Sequence, residues 1–342
     1  MTGNATQPDM IPVEAGLKVA SHWQRQLQRA WRDPVALLRH LGHDPASFGL
    51  ASAGTFQFLV TEAFAARMKP GDRDDPLLRQ VLPLADEDLA TPGFGPDPVG
   101  DAASRAVKGV LHKYRGRALL IATGACPIHC RYCFRREFDY ASDGLSGTAL
   151  TAAVDYIAAT TDIEEVILSG GDPLMLGNHK LQRLTDALSG VPHIRRLRIH
   201  SRMPITLPAR IDGPFIGWIE RLNRQVVVVV HANHANEFDG DVSRALARLR
   251  AAGATILNQA VLLAGVNDTV PALTRLMEAG FEAGALPYYL HLLDRVTGGA
   301  HFDVDRDHAV ALMDELRKRL PGYLVPRLVA ERAGAPSKLP VT

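Results

Sequence analysis

The sequence has 342 residues, with 46% hydrophobic and 22% charged side chains and a formal net charge of +1. That balance suits one large or two smaller soluble domains and argues against nucleic acid or an anionic membrane as a partner. The longest wholly aliphatic run, 226–230, is far too short to span a bilayer, and the first ten residues lack a basic patch followed by an apolar stretch. The expected location is therefore the cytoplasm.

Residues 1–108 read as a mainly helical and irregular N-terminal region. Apolar side chains recur at helical spacing over 19–41, while 70–75 and 91–101 are rich in Pro, Gly and Asp and read as loops. From about 109 the texture changes. Short β-rich runs at 118–123, 165–169, 197–201, 225–232, 255–261 and 285–291 alternate with helical patterns at 148–160, 180–188, 214–222, 241–252 and 270–279. This is the rhythm of βα units on a parallel sheet. Six units are too few for a closed eight-fold barrel, so residues 109–303 are expected to form an α/β partial (β/α)6 barrel. A doubly wound sheet is the alternative that periodicity does not separate. Residues 304–342 form a C-terminal segment, with a helix over 304–319 and an extended, proline-bearing tail over 323–342. In barrels the chemistry sits in loops after the strands. The cysteines follow the first strand here, Gly170–Asp172 the second, and His231 and Asn233 close the fourth.

All three cysteines lie within 126–133, an odd count that makes a poor disulfide framework and in a reducing compartment points to metal. They read Cys126-Pro-Ile-His-Cys130-Arg-Tyr-Cys133. Three thiolates leave one iron of a four-iron cubane without a protein ligand, open to chelation by a substrate. A structural zinc site completed by His129 or His112 is the competing reading, although such sites usually use two separated cysteine pairs. The spacing CxxxCxxC, with an aromatic residue before the last cysteine, resembles the signature of the radical S-adenosylmethionine (SAM) superfamily. A second motif, Ser169-Gly170-Gly171-Asp172-Pro173, follows a predicted strand. Its paired glycines allow close backbone approach, and it resembles the segment that binds the SAM amino group in that superfamily.

Further segments resemble the lysine 2,3-aminomutase family from about residue 105 to the end. They include His112-Lys113-Tyr114-Arg115-Gly116-Arg117, His200-Ser201-Arg202-Met203-Pro204, His231-Ala232-Asn233-His234-Ala235-Asn236-Glu237, the stretch from Asn258-Gln259 to Asn267-Asp268, Pro287-Tyr288-Tyr289 and Ser337-Lys338. The resemblance implies a [4Fe-4S] cluster on Cys126, Cys130 and Cys133. It implies SAM against Ser169, Gly170, Gly171, Asp172, His231 and Gln259. It also implies pyridoxal 5'-phosphate (PLP), held as a Schiff base by Lys338 and through its phosphate by Lys113, Tyr114 and Arg117. Arg135 matches the position that clamps the substrate carboxylate. Asp294 and Glu331 match the acids that hold the distal ammonium of L-lysine, with Glu331 where the family usually has Asp. An external electron donor is implied for cluster reduction. The chain has no cysteine beyond the motif, lacks the family's C-terminal extension, and has a 66–83 segment similar to the shorter branch. That branch makes (R)-β-lysine for attachment to elongation factor P by a lysyl ligase. A catabolic free-lysine mutase, and a radical SAM protein without PLP, are the alternative enzyme readings.

Overall fold

The computed structural model describes residues 20–52, 56–140, 144–145 and 147–342. Ten strands form one sheet whose spatial order is the chain order. They are β1 (Arg105–Val107), β2 (Val110–Tyr114), β3 (Arg117–Thr123), β4 (Glu165–Gly170), β5 (Arg196–Ser201), β6 (Gln225–Val230), β7 (Thr255–Val261), β8 (Leu286–His291), β9 (Arg327–Ala330) and β10 (Leu339–Pro340). Strands β3 to β9 run parallel. The ends β1, β2 and β10 are antiparallel additions. Because β1 and β10 are the two ends of this order and do not pair, the sheet stays open, as a partial barrel.

Parallel strands covered on both faces need near-continuous apolar sequence. Val166–Leu168 in β4 and Val228–Val230 in β6 are buried throughout. Helices cross between them: Thr148–Ala159, Asn178–Ser189, Gly213–Glu220, Gly240–Ala251, Val270–Glu282 and Arg306–Arg319. Each presents an apolar stripe at helical spacing, such as Leu181, Leu184 and Leu188, or Val242, Leu246 and Leu249. Four begin at side-chain caps, where Asp212, Asp239, Thr269 and Asp305 accept from Phe215, Val242, Ala272 and Asp307 N–H.

Three features depart from the sequence reading. The stretch 19–41, where described, is two helices, His22–Gln28 and Pro34–His40. Proline disfavours helix at the residue before it, and Asp33 instead caps Val35 N–H at 2.9 Å. Strand β2 was not expected, since His112-Lys113-Tyr114 is polar. The side chains of His112, Lys113 and Tyr114 are only partly buried, and Gly116, at φ +79°, turns the chain from β2 into β3. The tail also holds a seventh parallel strand, β9, and its antiparallel return β10. The N-terminal region builds its own core from Leu37, Phe64, Leu77, Leu78 and Val81. That core takes in Ile128 of the cysteine loop.

Candidate active site

The cysteine loop is shaped from two sides. From the N-terminal region, Leu59 O accepts from His129 N and Gln80 O from Arg131 N, both at 2.9 Å. Arg131 turns outward, with Nε 2.7 Å from Glu87 Oε1, and Arg136 joins the same carboxylate at 2.9 Å. Cys126, Cys130, Cys133 and Arg135 then face one cavity. The three thiols are free and only partly exposed. Burial, reinforced by the neighbouring Cys130, pushes the Cys133 thiol up to about 11, and burial also drives the Cys126 thiol up. These sulfurs need a cation's charge to ionise, which is what a metal cluster supplies.

On the other side, β4 comes up against the start of the loop. Gly171 N donates to Thr123 O at 2.7 Å and Asp172 N to Ala125 O at 2.8 Å. A Cβ on Gly171 would lie 2.5 Å from Ala125 O, and one on Gly170 2.7 Å from Thr123 O. The glycines are therefore required by protein backbone. Asp172 is likewise committed to the protein. Its carboxylate accepts from Ser201 Oγ and Arg202 N at 2.8 Å, Leu174 N at 3.0 Å and Met203 N at 3.1 Å. It pins the end of β5 while lining the cavity.

Across the cavity runs a chain of alternating charges. Glu331 holds the Lys338 ammonium at 2.6 Å and that of Lys113 at 3.0 Å. Lys113 reaches Asp101 at 2.6 Å, and Asp101 takes Arg135 Nε, also at 2.6 Å. Arg135 Nη1 continues to Ser169 Oγ at 3.3 Å. Burial alone would raise the Glu331 carboxyl, but Lys338 and Lys113 override it and hold it down at about 2. At Asp294 the same two lysines do not prevail: burial and the Glu331 charge push it up to about 7. With Val99 O at 2.8 Å as well, the three donors of Lys113 are all engaged within the protein. Lys113 lines the cavity beside Tyr114 and Arg117, the last set 4.7 Å from the Tyr114 ring.

Residues 115–193 match the family model described as a 4Fe-4S single cluster domain. L-lysine 2,3-aminomutase of Escherichia coli (strain K12) is 47% identical over 322 residues, covering 93% of this chain and 94% of that protein. The chain belongs to the L-lysine 2,3-aminomutase family. Its members are isomerases of radical SAM type. The Clostridium subterminale member is 32% identical over 288 residues, 84% of this chain and 69% of that protein. Among solved structures, a radical SAM methyltransferase from Sphaerobacter thermophilus aligns at TM-score 0.45 and 15% identity, over 65% of this chain and 68% of that one.

All sixteen residues singled out from the aminomutase resemblance line the one cavity, including those from the distant tail. Several buried polar atoms there have no protein partner among the described residues: Nε2 of His200, His231 and His291, and Oε1 of Gln259. Such atoms suit a cavity built for polar ligands. Burial, with nearby Arg and Lys charges, holds all three imidazoles neutral, His231 at about 3. The histidines of the zinc alternative point elsewhere. His129 Nδ1 sits 2.9 Å from Gln57 O and His112 Nδ1 2.7 Å from the Tyr156 hydroxyl. Among the described residues no three His, Cys, Asp or Glu side chains gather as for a single ion. Sequence reasoning passed over Asp101, which ended a predicted loop, and Arg202 and Glu237, which were quoted only as parts of matching segments. Their roles come from contacts made across the fold.

Proposed function

We propose that this enzyme converts L-lysine to (R)-β-lysine, with a [4Fe-4S] cluster, SAM and PLP bound together in the cavity, and that the product serves to modify elongation factor P. The observation that carries the reading is the cavity wall itself: three free thiols on one side, and on the other the Lys338 ammonium beside the paired acids Asp294 and Glu331. When bound, the cluster and SAM supply a hydrogen-abstracting carbon radical, and PLP supplies the π-system across which nitrogen moves from C2 to C3.

The chain's own residues bind, orient and shield. Cys126, Cys130 and Cys133 hold the cluster and leave one iron for SAM. The main chain at Ser169–Gly171, with His231 and Gln259, offers hydrogen-bonding groups to SAM. Arg117 and Tyr114 serve the PLP phosphate. Arg135 already spends Nε on Asp101, which orients the rest of its planar fork toward a substrate carboxylate. Glu331 is matched here to a primary ammonium, that of Lys338, at 2.6 Å. The same carboxylate, with Asp294 as its second acid, would take the distal ammonium of substrate lysine, while Lys338 would hold PLP. Closing these groups in one cavity also keeps water from a radical.

The closer identity to the Escherichia coli member than to the Clostridium subterminale one, 47% against 32%, supports the shorter branch. So does a cysteine count limited to the motif. A low-potential electron donor and the cytoplasm complete the assignment. The decisive experiment is anaerobic incubation with SAM, PLP, dithionite and L-lysine, followed by chiral amino-acid analysis. (R)-β-lysine is expected, and its absence from cluster-replete protein would refute the activity. Intact-mass analysis of elongation factor P from cells with and without the gene tests the modification role. An unchanged mass favours the free-lysine alternative.

A further inference from the structure

Arg202 is a buried guanidinium aimed at a cysteine. Its Nη1 donates to Cys130 Sγ at 2.6 Å, and its Nη2 donates to Gln80 Oε1 at 2.6 Å and Glu237 Oε2 at 3.0 Å. The Tyr132 ring lies 5.7 Å from the guanidinium carbon and the Phe64 ring 5.2 Å. Three separate parts of the fold fix this one side chain. The end of β5 holds its backbone through Asp172, the loop after β6 supplies Glu237, and the N-terminal region supplies Gln80 and Phe64. Glu237 is itself locked by Asn233 N at 2.8 Å and Gln80 Nε2 at 3.0 Å. Burying a charge is costly, and a simple loop tether could be made with neutral groups. What the charge adds is a strong donor and a positive pole at the sulfur of one cysteine.

We infer that Arg202 sets the reduction potential of the cluster, through Cys130. The inference rests on the assignment of the three cysteines as cluster ligands. Reduction adds one electron from a low-potential one-electron carrier, taking [4Fe-4S]2+ to [4Fe-4S]+, with no bond made or broken. The added negative charge spreads onto the ligand sulfurs. A donor and a cation at Cys130 Sγ therefore stabilise the reduced form more than the oxidised one and raise the potential. The N-terminal region thereby takes part in the chemistry, since Gln80 and Phe64 keep the guanidinium in place.

The test is an EPR-monitored redox titration of reconstituted full-length protein without SAM, with iron and sulfide measured on each sample. Two variants are compared with the wild type. Arg202→Lys keeps the charge and loses the fork. The double variant Arg202→Met with Glu237→Gln removes both charges, so no buried carboxylate is left unpaired. The expected order of potentials is wild type, then Arg202→Lys, then the double variant. The double variant should be about tenfold harder to reduce at equilibrium, about 59 mV for one electron, roughly the effect of one charge-assisted hydrogen bond. An unchanged potential at full cluster content would overturn the inference. So would loss of the cluster from both variants, since Arg202 would then be a structural support of the loop. Wild-type protein without four irons and sulfides would instead overturn the cysteine assignment.

Discussion

At the residue scale, chemistry in this protein is divided between side chains that face the cavity and side chains that hold them there. Lys113 illustrates the division: its ammonium serves Val99 O, Asp101 and Glu331, whereas among the described residues that of Lys338 pairs with Glu331 alone. Borohydride reduction of PLP-loaded protein should therefore leave the pyridoxyl group on Lys338. Lys338→Ala should lose that group and keep its iron. A label on Lys113 or Lys180 would sink the assignment. Asp294 carries the second prediction. Its carboxyl, raised to about 7 by burial and by Glu331, must ionise to accept an ammonium, so lysine binding should tighten as pH rises through about 7. Asp294→Asn should flatten that dependence. It should also raise the Michaelis constant for lysine at least about a hundredfold, the equivalent of some 3 kcal/mol for a broken buried pair. Wild-type kinetics in that variant would place the ammonium site elsewhere. The thiols were legible at this scale because their spacing is short and local. Arg202 was not, because its sulfur partner is 72 residues away.

At the element scale, the six strand–helix units were readable because burial on both faces leaves no choice but apolar runs and striped helices. The strands near the sheet's ends were not, since β2 carries Lys113 and Tyr114, which line the cavity, and β9 is only four residues long. The junction of β4 with the cysteine loop decides the loop's shape, and two glycines report on it. Gly171→Ala drives a Cβ to 2.5 Å from Ala125 O, a clash between backbones that no rotamer relieves. It should cost about 1–3 kcal/mol, as overpacking does, and lower the iron bound per chain after reconstitution. Gly177→Ala, with open space around it and an ordinary extended conformation, should leave both stability and iron content near wild type. Equal behaviour of the two would show that the junction does not shape the loop.

At the scale of the whole molecule, the barrel buries an unusual set of ionisable groups, and their balance sets the response to pH. His200, His231 and His291 have folded pKa values below the unfolded value, so the folded state binds fewer protons than the unfolded one as pH falls below about 6.5. Their contribution to stability is lost in that direction. Glu331, held down at about 2 by the two lysines despite burial, loses its share further into acid. Asp294 and Asp172, raised by burial, act in the opposite sense and grow more favourable as pH falls. Three imidazoles against two carboxyls leave a net loss. The urea midpoint of ligand-free protein should fall between pH 7 and pH 5, and a flat profile would contradict buried, neutral histidines.

What the sequence determined by itself was whatever is encoded locally: the cysteine spacing, the glycine pair after a strand, the alternation of strands and helices. Resemblance then extended this to residues as far apart as Lys113 and Lys338. Only the tertiary structure decided which groups are free to act. Hydrogen-bonding capacity is finite, and it is spent on partners brought together by folding. Asp172 bonds to the end of β5, Lys113 to two acids and a carbonyl, and the glycines lie against neighbouring backbone. Arg202 is delivered to Cys130 from the end of β5. No pattern along the chain records these pairings, because each is a contact between segments whose distance in sequence says nothing of their distance in space.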